Sequence, residues 1–168
     1  MSLELENDST KLEGTYNIKY LDEVIAACEL AKAAKPIKSF VMKNLNELEG
    51  IKVGIYVISE VDGDCETTFE AFKDFKKKSE RACAKLNRPS KILYVGSSTT
   101  GLMKRIKQHL GDGHKSTSAL HLSHWAGERK IEIQIYEYHE ERNVLQLKED
   151  ALSHELQPAF GKRGGNNK

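Results

Sequence analysis

Two short apolar segments, each carrying a tyrosine two positions from a glycine, constrain this chain more than any other feature. The first is Val53–Val57, reading Val-Gly-Ile-Tyr-Val, and the second is Ile92–Gly96, reading Ile-Leu-Tyr-Val-Gly. Both are rich in the β-branched and aromatic residues that suit strands. A glycine inside a strand supplies no side chain and costs backbone entropy, so it usually marks close approach by another group. Strand side chains alternate with period two, which puts Gly54 and Tyr56 on one face and Tyr94 and Gly96 on one face. If the two strands pair, two phenols and two bare stretches of backbone border one concave site.

The rest of the chain predicts an α+β domain, a small antiparallel sheet with helices packed on it. With 168 residues, 39% of them apolar and 30% charged, a single globular domain with its own core is expected. Residues 1–13 are polar and acidic and are expected to be disordered; 14–168 read as one domain. Within it, 14–50 form an N-terminal helical extension, 51–163 the core, and 60–90 a helical insertion between the first two strands. Leu21, Val24, Ile25, Cys28 and Ala31 share one face of a helix from Tyr20 to about Lys35. Phe69, Phe72, Phe75, Cys83 and Leu86 predict an amphipathic helix capped by Thr67 or Thr68. Leu102, Ile106 and Leu110 predict another, and Ser116–Trp125 a short one. Ile131, Ile133 and Ile135 alternate with polar residues, as a half-buried third strand requires.

Composition excludes some roles. No apolar run approaches the ~20 residues of a membrane span, and Glu4, Glu6 and Asp8 are unlike a secretory signal. Cys28, Cys65 and Cys83 are odd in number and lack Cys-x-x-Cys spacing, which suits free thiols in a reducing, cytoplasmic setting. A net charge of +1 leaves any anion binding to local clusters.

The helix over Asn143–Gln157 holds the most anomalous residue. Leu145, Leu152 and Leu156 form its apolar stripe, and Glu149 lies inside that stripe. A carboxylate on a core-facing side must be paired, protonated or bound to metal. As a lone acid it suits a single Mg²⁺ completed by waters and phosphate, rather than a two-metal site. Arg105 and His109 are four apart on the helix that follows Gly96. A guanidinium there can hold two phosphate oxygens, and an imidazole can accept or relay a proton. Tyr56 and Tyr94 need a nearby cation to act as bases, because an ordinary phenol has a pKa near ~10. His109 is a third candidate for that task. His114, His121 and His124 with Cys65 or Cys83 make only a poor zinc set.

Gly54-Ile55-Tyr56, Tyr94-Val95-Gly96, Arg105 with His109, and Glu149 nine residues before Pro158 together resemble the GIY-YIG nuclease superfamily. The resemblance implies a three-stranded antiparallel sheet flanked by helices, and divalent-metal-dependent cleavage of DNA with Mg²⁺ or Mn²⁺. It assigns Tyr56, Tyr94, Arg105, His109 and Glu149 to catalysis, with Glu149 the protein's metal ligand. Lys104, Lys107, Lys162 and Arg163 are expected on flanking phosphates. Three departures stand out: 37 residues separate Tyr56 from Tyr94, Val95 replaces isoleucine, and Gly161 stands where the family often has asparagine. Asn166 or Asn167 could substitute for the last. The rival reading is a DNA-binding or regulatory module that keeps the fold without turnover. A third possibility is an interaction module built on exposed phenylalanines of the inserted helix.

Overall fold

The computed structural model describes residues 16–163, so the expectations for residues 1–13 and for Asn166 and Asn167 lie outside the described residues. In chain order the elements are helix α1 (Tyr16–Ala33), strand β1 (Lys38–Val41), strand β2 (Gly54–Glu60), helix α2 (Cys65–Lys77), strand β3 (Ile92–Ser98), helix α3 (Leu102–Lys107), strand β4 (Ile131–Glu137) and helix α4 (Arg142–Leu156). Short helical turns stand at Leu45–Leu48, Gln108–Asp112 and Leu122–His124.

The sheet is antiparallel throughout, in the order β1-β4-β2-β3. It therefore has four strands where the sequence led us to expect three. The additional strand, β1, pairs Phe40 with Ile135 of β4. Four residues are too few to display alternation, and only Phe40 among them gains partial burial. Backbone pairing rather than side-chain packing holds this strand in place.

β2 is covered on both faces, which is why its run is continuously apolar. Tyr56 and Ile58 join a core with Leu93, Phe72, Leu102 and Phe160. Ile55 and Val57 turn the other way, toward Val95 and Leu145 of α4.

Two helices depart from their expected form. α1 buries Ala27 and Ala31 against Val144 of α4, while Leu21 and Ile25 of the expected face are 55% and 60% exposed. Alanine surfaces let helix axes approach more closely than leucine and isoleucine do. α2 is capped by Asp64 instead of Thr67 or Thr68: its Oδ1 accepts from the Thr67 N–H at 2.7 Å. This helix stops at Lys77, well before Leu86, and Ser79 follows in the left-handed region at φ 54°. Cys83 and Leu86 instead make isolated bridges to Ala119 and Phe160. Phe72 and Phe75 are buried, and Phe69 stacks on Phe160 at 5.6 Å, so these rings offer no exposed docking face. Within Ser116–Trp125 only the turn Leu122–His124 is helical.

Candidate active site

β3 is an edge strand, and its edge is only partly covered. Ala159 and Phe160, just past α4, donate to the carbonyls of Ile92 and Leu93 at 2.8 and 3.0 Å. From Tyr94 onward the edge borders a cavity of about 380 Å³, lined by Tyr56, Tyr94, Ser97, Arg105, Arg142 and Glu149 among others. The edge position lets groups from both sheet faces meet there.

Strand register brings the tyrosines together. Tyr56 lies opposite Gly96, and Tyr94 lies opposite Ile58, so the two phenols are diagonal neighbours on one face. Their rings stack at 6.1 Å with planes 8° apart. A Cβ on Gly96 would collide with the Tyr56 hydroxyl. The missing side chain thus gives the phenol its passage across β3 to the cavity.

Behind Tyr56 the site is dry. Tyr56 and His109 are both fully buried, and Tyr56 Oη lies 2.9 Å from His109 Nε2. The Leu120 N–H donates to His109 Nδ1 at 3.2 Å. A nitrogen that accepts carries no proton, so the neutral ring bears its proton on Nε2 and donates to Tyr56. Burial, followed by the charges of Arg105 and His121, pushes His109 well below its ordinary pKa and keeps it neutral. Burial also raises Tyr56 well above 10, with Tyr94 and Glu149 adding to the rise and Arg105 opposing it. Tyr94 is raised by burial as well, against the pull of Arg105. Without substrate both phenols are protonated.

In front of the tyrosines the groups are charged. Glu149 is only 7% exposed, and its Oε2 accepts from Ser97 Oγ. Burial raises its pKa; the Ser97 hydrogen bond, Lys162 and Arg105 pull the other way, and Asp150 adds to the rise. Arg105 is held in place by three bonds: to Gln108 Oε1 at 2.8 Å, the Ser118 carbonyl at 3.1 Å and Tyr94 Oη at 3.4 Å. A guanidinium has five N–H donors, so two remain for a ligand.

The donor set fits one hard cation. Among the described residues Glu149 is the sole carboxylate lining the cavity, and a desolvated carboxylate gains from a positive ion beside it. Mg²⁺ is commonly held by one or two carboxylates, with waters and substrate phosphate completing the shell. Among the described residues no group of three or more His, Cys, Asp or Glu could hold a metal ion, the His114, His121 and His124 set included.

Of the residues singled out from sequence, Tyr56, Tyr94, Arg105, Glu149 and Lys162 line the cavity, and His109 lies behind it, bonded to Tyr56 and packed on the Tyr94 ring at 4.3 Å. Lys104 and Lys107 border a different hollow, with His114. Arg163 does not line the cavity, and its Nε is buried without a partner among the described residues.

Four contributors escaped the sequence reading. Arg142 and Gln146 stand seven and three residues before Glu149, a helical spacing that points them to the same side. Ser97 directly follows the Gly96 edge. Asn87, from the insertion, left no local signal: its Nδ2 donates to the carbonyls of Pro158 and Gly161, both at 3.0 Å. That clamp holds Gly161, at φ 90°, so close to the Tyr94 ring that any side chain there would strike it.

Comparison with known families gives an independent finding. The GIY-YIG catalytic domain matches residues 84–163, which include Tyr94, Arg105, His109 and Glu149. Tyr56 lies ahead of the matched stretch, beyond the insertion, and is joined to it by the β2–β3 ladder. No curated protein and no solved structure gave a match. Among the described residues no helix is long and apolar enough to cross a membrane. Over residues 84–163 this chain is similar to the GIY-YIG catalytic domain.

Proposed function

We propose that the protein is a divalent-metal-dependent endonuclease that hydrolyses DNA phosphodiester bonds with a single cation. The observation that carries this reading is the convergence of one desolvated carboxylate, two phenols and a braced guanidinium on one cavity. A binding module has no use for a carboxylate facing phosphate, since two anions repel.

Glu149 would hold Mg²⁺ or Mn²⁺, oriented by Ser97. Bound there, the ion would neutralise charge on a non-bridging oxygen and on the leaving 3′ oxygen. Arg105 would direct its two spare N–H donors to the scissile phosphate and stabilise the charge that builds up as water attacks phosphorus. One tyrosine would first lose its proton to solvent; its phenolate then takes the water's proton as the water forms the new P–O bond, the bond to the 3′ oxygen breaks, and that oxygen takes a proton from solvent. Each phenol has an aid for that task. Tyr56 receives the His109 Nε2–H bond, which strengthens if the phenol ionises. Tyr94 lies beside Arg105. Bringing even an unperturbed phenol from ~10 to about 7–8 takes roughly 3–4 kcal/mol, at about 1.36 kcal/mol per pKa unit, and the raised phenols of the empty site need more. A guanidinium and a divalent cation close to a half-buried phenol supply interactions of that order. His109 is then a positioning residue that acts through Tyr56.

The test is supercoiled plasmid incubated with Mg²⁺ or Mn²⁺, comparing wild type with Glu149→Ala and Arg105→Ala. Wild type should nick and both variants should not. Wild type that binds DNA but never cuts any form of it would favour the non-catalytic module.

A further inference from the structure

The cavity does not end at Arg105. Tyr94, Arg105 and Lys162 also line a second hollow of about 290 Å³, whose other walls include Lys85, Ser118 and Gly161. The three shared residues form a ridge between two lobes. Each lobe has an exposed cation of its own.

In the first lobe that cation is Arg142, in the opening turn of α4. It is exposed and makes no ion pair or side-chain hydrogen bond with the described residues. With Gln146 and Glu149 it follows an i, i+4, i+7 spacing, so one helical line carries a cation, an amide and the proposed metal-holding acid. In the second lobe the cation is Lys85, from the connection between β2 and β3. It too is exposed and without an ion pair among the described residues. Its backbone is not loose: the Lys85 carbonyl accepts from the Gly161 N–H at 2.8 Å, and Asn87 two residues on clamps Pro158 and Gly161.

We propose that Arg142 and Lys85 bind the phosphates on either side of the scissile one, so that the cut strand runs from the start of α4 over the Arg105 ridge to Lys85. The inference rests on the nuclease reading and deepens it by fixing the path of the strand. Cations without an ion pair among the described residues, one in each of two adjoining hollows, suit a polyanion with regularly spaced charges. The end of the β2–β3 connection thereby gains a role: it carries one of the two flanking contacts.

Binding is measured in a Glu149→Ala background, so that affinity is read whether or not the protein cuts. A short fluorescent duplex is titrated at several salt concentrations. Arg142→Ala and Lys85→Ala should each lower the slope of log K against log salt by about 0.9, and the double variant by about 1.8. Lys38→Ala, on β1 at the sheet edge opposite β3, should change nothing. A duplex series with a single neutral methylphosphonate then locates the contacts. Arg142→Ala should become insensitive at one position and Lys85→Ala at another, on opposite sides of a central position to which both remain sensitive. Unchanged slopes in both variants, or loss of sensitivity at the same position, would overturn the track. Wild type that binds with these slopes but cuts no DNA would sink the nuclease reading alone.

Discussion

The stacked tyrosines divide the site into two halves built on opposite terms. Behind them, His109 is sealed from solvent, and both its ring nitrogens have protein partners, one of them the Tyr56 hydroxyl. In front, Glu149 and Arg105 keep unused donor and acceptor capacity facing a cavity. The closed half is complete without substrate and sets the position and proton of Tyr56. The open half carries charge that the protein alone leaves under-compensated, as the raised pKa of Glu149 shows. One half therefore contributes order and the other contributes chemistry, and variants on the two sides should fail differently.

The largest expected difference is in turnover. Glu149→Ala should reduce plasmid cleavage by about 10³-fold or more, the scale of losing a direct charge-stabilising group. His109→Gln should lose roughly 10–100-fold, as outer partners of reactive groups commonly do. Single-turnover rates at saturating DNA would separate the two. A His109 variant as inactive as Glu149→Ala would mean that the imidazole touches the reacting atoms, contrary to its burial behind Tyr56.

Stability should rank the halves in reverse. His109→Ala leaves the Tyr56 hydroxyl and the Leu120 N–H without their buried partner and opens a cavity, at a cost of about 2–4 kcal/mol. Glu149→Gln keeps the shape and removes a desolvated charge, so it should be neutral or stabilising by up to about 1 kcal/mol. Urea unfolding in the presence of a chelator reads both.

Acid should also act on the halves with opposite sign. The folded pKa of His109 is depressed, so the unfolded chain binds its proton first. Its contribution to stability is whole above about 6.5 and is lost as pH falls below that value. The folded pKa of Glu149 is raised, so the native state takes up that proton first, and stability is gained as pH falls toward about 4.5. Between pH 7 and 5 in chelator, Tm should therefore fall more steeply in Glu149→Gln than in wild type, and less steeply in His109→Gln. Parallel curves for all three proteins would remove the electrostatic basis of the division.

How much of this was legible depended on the range of the signal. Glu149 was conspicuous because a charge inside the stripe of Leu145, Leu152 and Leu156 breaks a local period, and the structure buries it beside Ser97. Tyr56, Gly96 and Tyr94 were conspicuous because strand alternation reports faces directly. β1 was not, since four residues show no period and only Phe40 gains burial. α1 presented two candidate faces, and the choice between its alanines and its larger residues was made by Val144 on a distant helix. The end of α2 was missed because Cys83 and Leu86 keep a helical spacing while bridging to Ala119 and Phe160. Asn87 was the least accessible of all, because its meaning lies in carbonyls more than seventy positions away.

That residue gives the smallest and most selective prediction. Asn87→Ala removes two hydrogen bonds to Pro158 and Gly161, worth about 1–2 kcal/mol together at a partly buried site. It touches neither half of the site directly. Gly161 nevertheless packs on the Tyr94 ring and its N–H is bonded to the Lys85 carbonyl, so slack in this loop should reach the open half before the closed one. Cleavage should fall several-fold, while the His109-dependent slope of Tm against pH stays as in wild type. Asn87→Asp keeps one acceptor but loses the donor that both carbonyls need, so it should not rescue. Asn87→Gln should restore part of the rate if its longer side chain can reach the same pair. If Asn87→Ala instead changed the pH slope and left the rate alone, the insertion would be bracing the buried half, and the functional boundary would have to be redrawn behind Tyr56.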